Sequence, residues 1–104
     1  MTNEQTKPRT YSDVVVNSVI ALNAKIATSQ KLECGTLLAT TDGGASFSPV
    51  DKSWDGTGDK ILGVLCDNIG QDSSADVLVC GEVNIEVSEA VRTALLKQKI
   101  IVRG

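Results

Sequence analysis

Val14-Val15-Val16-Asn17-Ser18-Val19-Ile20, reading VVVNSVI, places a β-branched side chain at five of seven positions. Branching at Cβ stiffens χ1 and favours extended backbone, so the stretch predicts a strand. Residues 1–13, MTNEQTKPRTYSD, are polar, carry a proline and show neither helical nor strand periodicity, which marks an arm outside the core. A strand continuous with a loose arm can pair with a partner's sheet edge as readily as with its own domain. The chain therefore divides into an extended arm, residues 1–20, and a β-rich domain, residues 21–104.

Downstream, short apolar runs alternate with turn residues at close intervals, the pattern of a small barrel or sandwich. The predicted strands are Ala24–Thr28, Thr36–Thr41, Ala45–Ser48, Lys60–Cys66, Ala75–Cys80 and Glu82–Val87. Asp42-Gly43-Gly44 is a hairpin signal, because glycine supplies the positive φ that tight reversals need. Gly35, Gly63, Gly70 and Gly81 fall in or beside strands and predict bulges or close backbone approaches. One helix is expected: Ser88 caps it, Glu89 suits its positive end, and Ala90, Val91, Ala94 and Leu95 make an apolar stripe. Lys97 and Lys99 complement its C-terminal end, and Ile100-Ile101-Val102 returns as a last strand. The expected fold is mainly β, a small barrel- or sandwich-like domain with one short C-terminal helix and an extended N-terminal arm.

At 104 residues there is room for one domain with a modest core. Only Tyr11, Phe47 and Trp54 are aromatic, so Val, Leu, Ile and Ala must build that core. A formal charge of -3, with no long Lys or Arg run, disfavours nucleic-acid binding through phosphate neutralisation. The first twenty residues lack a continuous apolar run, so neither a signal peptide nor a membrane span is expected, and a cytosol-like compartment is. Cys34, Cys66 and Cys80 are odd in number and sit among apolar neighbours, which points to buried, reduced thiols.

Catalytic constellations are scarce. With no histidine, triads and metal sites built on imidazole are excluded. Ser53–Lys60, SWDGTGDK, gathers the one tryptophan, two glycines and two aspartates. As a calcium loop started at Asp55 it fails at Thr57, Lys60 and Cys66, where an oxygen ligand, a glycine and a bidentate glutamate belong. As a dinucleotide loop it meets Ile61 in place of the third glycine, and as a phosphate loop from Gly58 it meets Val64 and Leu65 in place of Lys and Ser/Thr. Asp55 and Asp59 as an acid–base pair would define a small hydrolase, but loop aspartates are mostly turn formers. A three-thiolate metal site has no C-x-x-C pair to anchor it. SWDGTGDK is read as a corner between β-elements, with Trp54 either filling the core or anchoring a subunit interface.

Gly35-Thr36-Leu37-Leu38 opening a strand, Trp54-Asp55-Gly56-Thr57 before a glycine-containing loop, Gly63-Val64-Leu65 ending the next strand and Gly81-Glu82-Val83 before the terminal helix resemble, in order and spacing, the head decoration protein D family of lambda-like tailed phages. The resemblance runs from Gly35 to the end, about two thirds of the chain. The chain departs from the family pattern in its three cysteines and in the Asp42–Gly44 hairpin. The resemblance implies a non-enzymatic homotrimer without cofactor or metal, seated outside the expanded head at local threefold axes and stabilising it against packaged DNA. The implied partner is the major capsid protein, with no direct nucleic acid and no membrane; the implied location is the outer virion surface, reached from the host cytoplasm. Expected shell contacts are Tyr11, Val14, Val15, Val16, Val19 and Ile20 of the arm, gaining backbone hydrogen bonds on a capsid-protein edge. The rival binding reading is a biotinyl- or lipoyl-type carrier domain, which would need a modified lysine at Asp51-Lys52 or Asp59-Lys60.

Overall fold

The computed structural model describes residues 11–50, 54, 61–71 and 73–103. A single turn of helix, α1 (Tyr11–Val14), leads into β1 (Val15–Ile26), followed by β2 (Leu37–Thr40), β3 (Ser46–Pro49), β4 (Ile61–Leu65), β5 (Ser74–Val83), α2 (Glu89–Lys97) and β6 (Ile100–Val102). The strands run β1-β3-β2-β4-β5 and close by a further β1–β5 pairing, with β6 added on the outer side of β5. The domain is thus a closed five-stranded barrel plus one strand with one short C-terminal helix, mainly β as the alternation of short apolar runs and turns predicts.

Two of the expected boundaries move. The stretches 14–20 and 24–28 do not form separate strands: β1 runs unbroken through Ala21-Leu22-Asn23, paired antiparallel with β5 from Val15↔Val83 to Lys25↔Ser74. Likewise the expected break before Glu82 is absent, and β5 passes through Gly81 to Val83. Asn84 N–H donates to the Val14 carbonyl at 2.6 Å, and beyond it both flanking ladders have ended, so residues 84–87 leave the sheet. Gly81 makes the continuity possible. Its φ is +149°, and a Cβ there would overlap the Asn17 carbonyl oxygen, so β1 can cross β5 closely only at a glycine. Register shifts at Val15/Asn17, Ser18/Ile20 and Ile20/Ala21 accompany this crossing, the irregularity that glycines in strands announce.

Strand alternation divides the core in two. Inside the barrel lie Ala24, Ile26, Leu38, Phe47, Leu65, Ala75 and Val77, with Phe47 the largest fully buried side chain. Gly63 completes this wall, since a Cβ there would overlap Val77 Cγ1 and press to 3.1 Å from the Phe47 ring. On the other side of β4 and β5, Leu62, Val64, Leu78 and Val83 pack with Val14, Val15, Val91, Leu95, Ile100 and Val102, so α2 seals the end of the β1–β5–β6 ribbon. Ser88 caps α2, accepting from Val91 N–H at 3.3 Å, as its sequence predicts. The helix ends on Lys99 in the left-handed region (φ 71°), with Gln98 and Lys99 N–H donating to the Leu95 and Leu96 carbonyls. Gln98 Oε1 then reaches back to accept from Leu62 N–H at 2.9 Å, tying the helix end to β4.

The expected hairpin forms between β2 and β3. Asp42 Oδ1 accepts from Thr40 Oγ1 (2.8 Å) and Ser46 N–H (3.0 Å), Asp42 Oδ2 accepts from Ser46 Oγ (2.6 Å), and Gly43 and Gly44 take positive φ. Hydrogen bonds from the Ser46 side chain, then from its backbone, and from Thr40 favour the carboxylate and lower the Asp42 pKa to about 2.

Candidate interaction surface

β1 carries the most unusual surface. Val15, Ala24 and Ile26 are buried, yet every residue from Val16 to Asn23 is exposed. Along this run β5 pairs one edge, whereas β3 joins β1 only at Lys25↔Ser46 and Ile26↔Phe47. The other edge of residues 17–23 has no partner strand among the described residues. Natural sheets blunt such edges with charges or proline, but between Asp13 and Lys25 there is neither. Val16, Val19 and Ile20 are each at least half exposed, at 54, 62 and 50%.

A second apolar set lies across the same ribbon. Glu82 of β5 pairs with Asn17 on one side and with Ile101 of β6 on the other, so these three share the face opposite α2. The Arg103 guanidinium forms an ion pair with Glu82 there, and Ile101 stands beside it half exposed. Leu96 projects from α2 next to buried Leu95 and is 57% exposed.

The six residues expected to form an arm surface therefore separate. Val14 and Val15 belong to the core, with 0 and 8% exposure, and Val15–Ile20 is committed to the domain's own sheet, so the boundary drawn at residue 20 falls inside β1. Tyr11 is exposed on α1, and Val16, Val19 and Ile20 remain on the surface. Ile101 and Leu96 were not singled out from sequence. The signals were there: the middle residue of a three-residue strand between buried Ile100 and Val102 must face outward, and Leu96 falls one residue past the apolar stripe.

Trp54 packs partly buried against the cluster under α2, with part of the ring left uncovered. It borders an open trough of about 1380 Å³, flanked by Lys31, Glu33, Val50, Glu86 and Val87. That volume exceeds the roughly 300–1,000 Å³ of a closed small-molecule site. Asp55, Asp59, Lys52 and Lys60, the candidates for acid–base or carrier chemistry, lie outside the described residues. Cys34 and Cys66 are buried thiols and Cys80 is half-buried; burial raises the Cys66 pKa, while its Sγ–H donates to the Val64 carbonyl. Among the described residues no group of three or more His, Cys, Asp or Glu is placed to hold a metal, and no helix is long and apolar enough to cross a membrane.

No family model matches the chain, and no curated protein matches its sequence.

Proposed function

We propose that the chain is a phage capsid decoration protein, binding the outside of the expanded head as a homotrimer at local threefold axes and stabilising the shell against its packaged DNA. The observation that carries this reading is the distribution of exposed apolar side chains. Of eight large hydrophobic residues exposed in the described chain, six (Val16, Val19, Ile20, Leu22, Leu96 and Ile101) lie on β1, α2 and β6. Large apolar side chains left exposed on the outer strands β1 and β6 and on α2 support a protein that works inside an assembly. The resemblance to the decoration family supplies the kind of assembly. Of its matched pieces, Gly35-Thr36 precedes β2, Gly63-Val64-Leu65 ends β4, and Gly81-Glu82-Val83 ends β5.

With Val14 and Val15 held in the core, the shell contact falls to Tyr11 and to the polar residues 1–10 that precede it. Three such contacts from one trimer make the second and third attachments intramolecular, raising avidity by roughly 10²- to 10⁴-fold. A lattice that presents three matching sites around an axis after expansion would then be preferred, and by linkage stabilised. The test is co-sedimentation with expanded, undecorated heads, comparing the full chain with one lacking residues 1–10. That truncation leaves β1 whole. Saturable pelleting of the full chain, weakened by the truncation, is the expected result; a full chain that stays in the supernatant refutes the reading.

A further inference from the structure

We infer that the trough beside Trp54 is the seat of the chain's own first ten residues, which dock there as an extended, proline-containing segment. Position is the first argument. The Val14 carbonyl accepts from Asn84 N–H at 2.6 Å, and Glu86, Val87 and Ser88, just beyond Asn84, line the trough. Val14 also shares its buried cluster with Val91, another lining residue. The segment therefore joins the domain close beside the trough, one turn of α1 before Val14. Ten extended residues reach about 33 Å, more than the domain's 28 Å width, so length sets no limit.

Chemistry then selects this occupant. The trough is larger than a closed small-molecule site and presents half-buried Val50, Val87 and Trp54 together with exposed Glu33, Glu86 and Lys31. Residues 1–10, MTNEQTKPRT, hold the opposite balance: Lys7 and Arg9 answer the two glutamates, and Glu4 answers Lys31. Between the two cations stands Pro8, whose fixed φ favours extended backbone, and aromatic-lined grooves take such segments. Pro8 against the uncovered part of the Trp54 ring, with Lys7 and Arg9 toward Glu33 and Glu86, satisfies both. Tethering does the rest: a short linker holds a segment at an effective concentration of about 1 mM or more, so even a weak contact is occupied. Attachment to a shell through residues 1–10 then requires their release from the trough. That step rests on the decoration reading; the docking does not.

Trp54 is the one tryptophan of the chain, so its fluorescence reports on the trough directly. The test compares the full chain with one lacking residues 1–10, their matching far-UV circular dichroism establishing that both fold. Truncation is expected to shift the Trp54 emission to longer wavelength as the ring meets water. A synthetic peptide of residues 1–10 should reverse the shift saturably at about millimolar concentration, and a peptide carrying Lys7→Glu and Arg9→Glu should bind at least about tenfold more weakly. Glu33→Lys with Glu86→Lys in the full chain should reproduce the emission of the truncated one. Emission unchanged by truncation overturns the inference, leaving the ring to the residues that flank it in sequence. So does a peptide that fails to reverse the shift, or a charge-reversed peptide that binds equally well. Full-chain emission that changes between about 1 µM and about 100 µM also overturns it, because the segment would then be docking in a second copy. Docking as expected in a chain that ignores heads supports the inference and sinks the decoration reading.

Discussion

Replacing Gly81 by alanine should unfasten the β1–β5 ribbon on which the exposed surface is built. The added Cβ would overlap the Asn17 carbonyl oxygen and sit 3.2 Å from Val19 N and 3.3 Å from Asn17 C, all backbone atoms of β1 that no rotamer change can clear. The φ of +149° is also one that alanine adopts only under strain. A residue held in so disfavoured a backbone region costs on the order of 1–3 kcal/mol. Moving β1 away, or losing the Gly81 N–H bond to the Lys99 carbonyl at 3.0 Å, removes one or two ladder hydrogen bonds. At about 1 kcal/mol each these bring the total to roughly 2–5 kcal/mol. For a domain of this size that is a fall in Tm of roughly 10–25 °C. Urea and thermal unfolding followed by far-UV circular dichroism measure it, with Gly70→Ala as control, since a Cβ at Gly70 meets nothing within 4 Å. Gly81→Ala as stable as wild type, or no less stable than Gly70→Ala, would refute the argument that β1 crosses β5 only at a glycine.

Three further outcomes follow from the same structure. Trp54→Ala should lower stability by about 2 kcal/mol, below the roughly 3–5 of a fully buried aromatic because the ring is only partly covered; urea titration gives the value, and a loss near zero would place the ring off the core. Lys99→Gly should raise stability by about 1 kcal/mol, because Lys99 ends α2 at φ 71° and glycine removes the left-handed penalty; a lowered urea midpoint would contradict this. The Asp42 carboxyl has a folded pKa lowered to about 2 from 3.8, so its contribution is fully present above about pH 4 and is lost as pH falls through about 2. Asp42→Asn should therefore melt below wild type at pH 6 and converge with it near pH 2, and a Tm difference that stays constant over that window would rule out the carboxylate as the cause.

How far the sequence spoke for the structure depended on how local each determinant is. The Asp42-Gly43-Gly44 hairpin and the Ser88 cap rest on contacts within a few residues, and both stand as read. The two mistaken strand breaks, near Ala21-Leu22-Asn23 and before Glu82, fall within the long antiparallel pairing of β1 with β5. Polar Asn23 and glycine at 81 look like punctuation in isolation, yet one sits on the exposed run, donating to Asp76 Oδ1, and the other makes room for a carbonyl sixty-four residues earlier in the chain. The surface residues divide for the same reason. Val14, Val15 and Val16 are identical in type, and only pairing with β5 and packing under α2 decide that the first two are core and the third is not. Closure of the barrel, with β1 paired to β3 at Ile26↔Phe47 and to β5 on its other edge, joins distant segments that no local pattern encodes.

The proposal that this domain decorates a capsid is tested most directly by saturation binding to expanded heads, counting bound chains per shell subunit. A trimer on every local threefold axis relates three shell subunits to three of its own, so binding should saturate at about one chain per subunit and should be far weaker on unexpanded heads. Binding that never saturates, that is equal on both lattices, or that is absent contradicts the account.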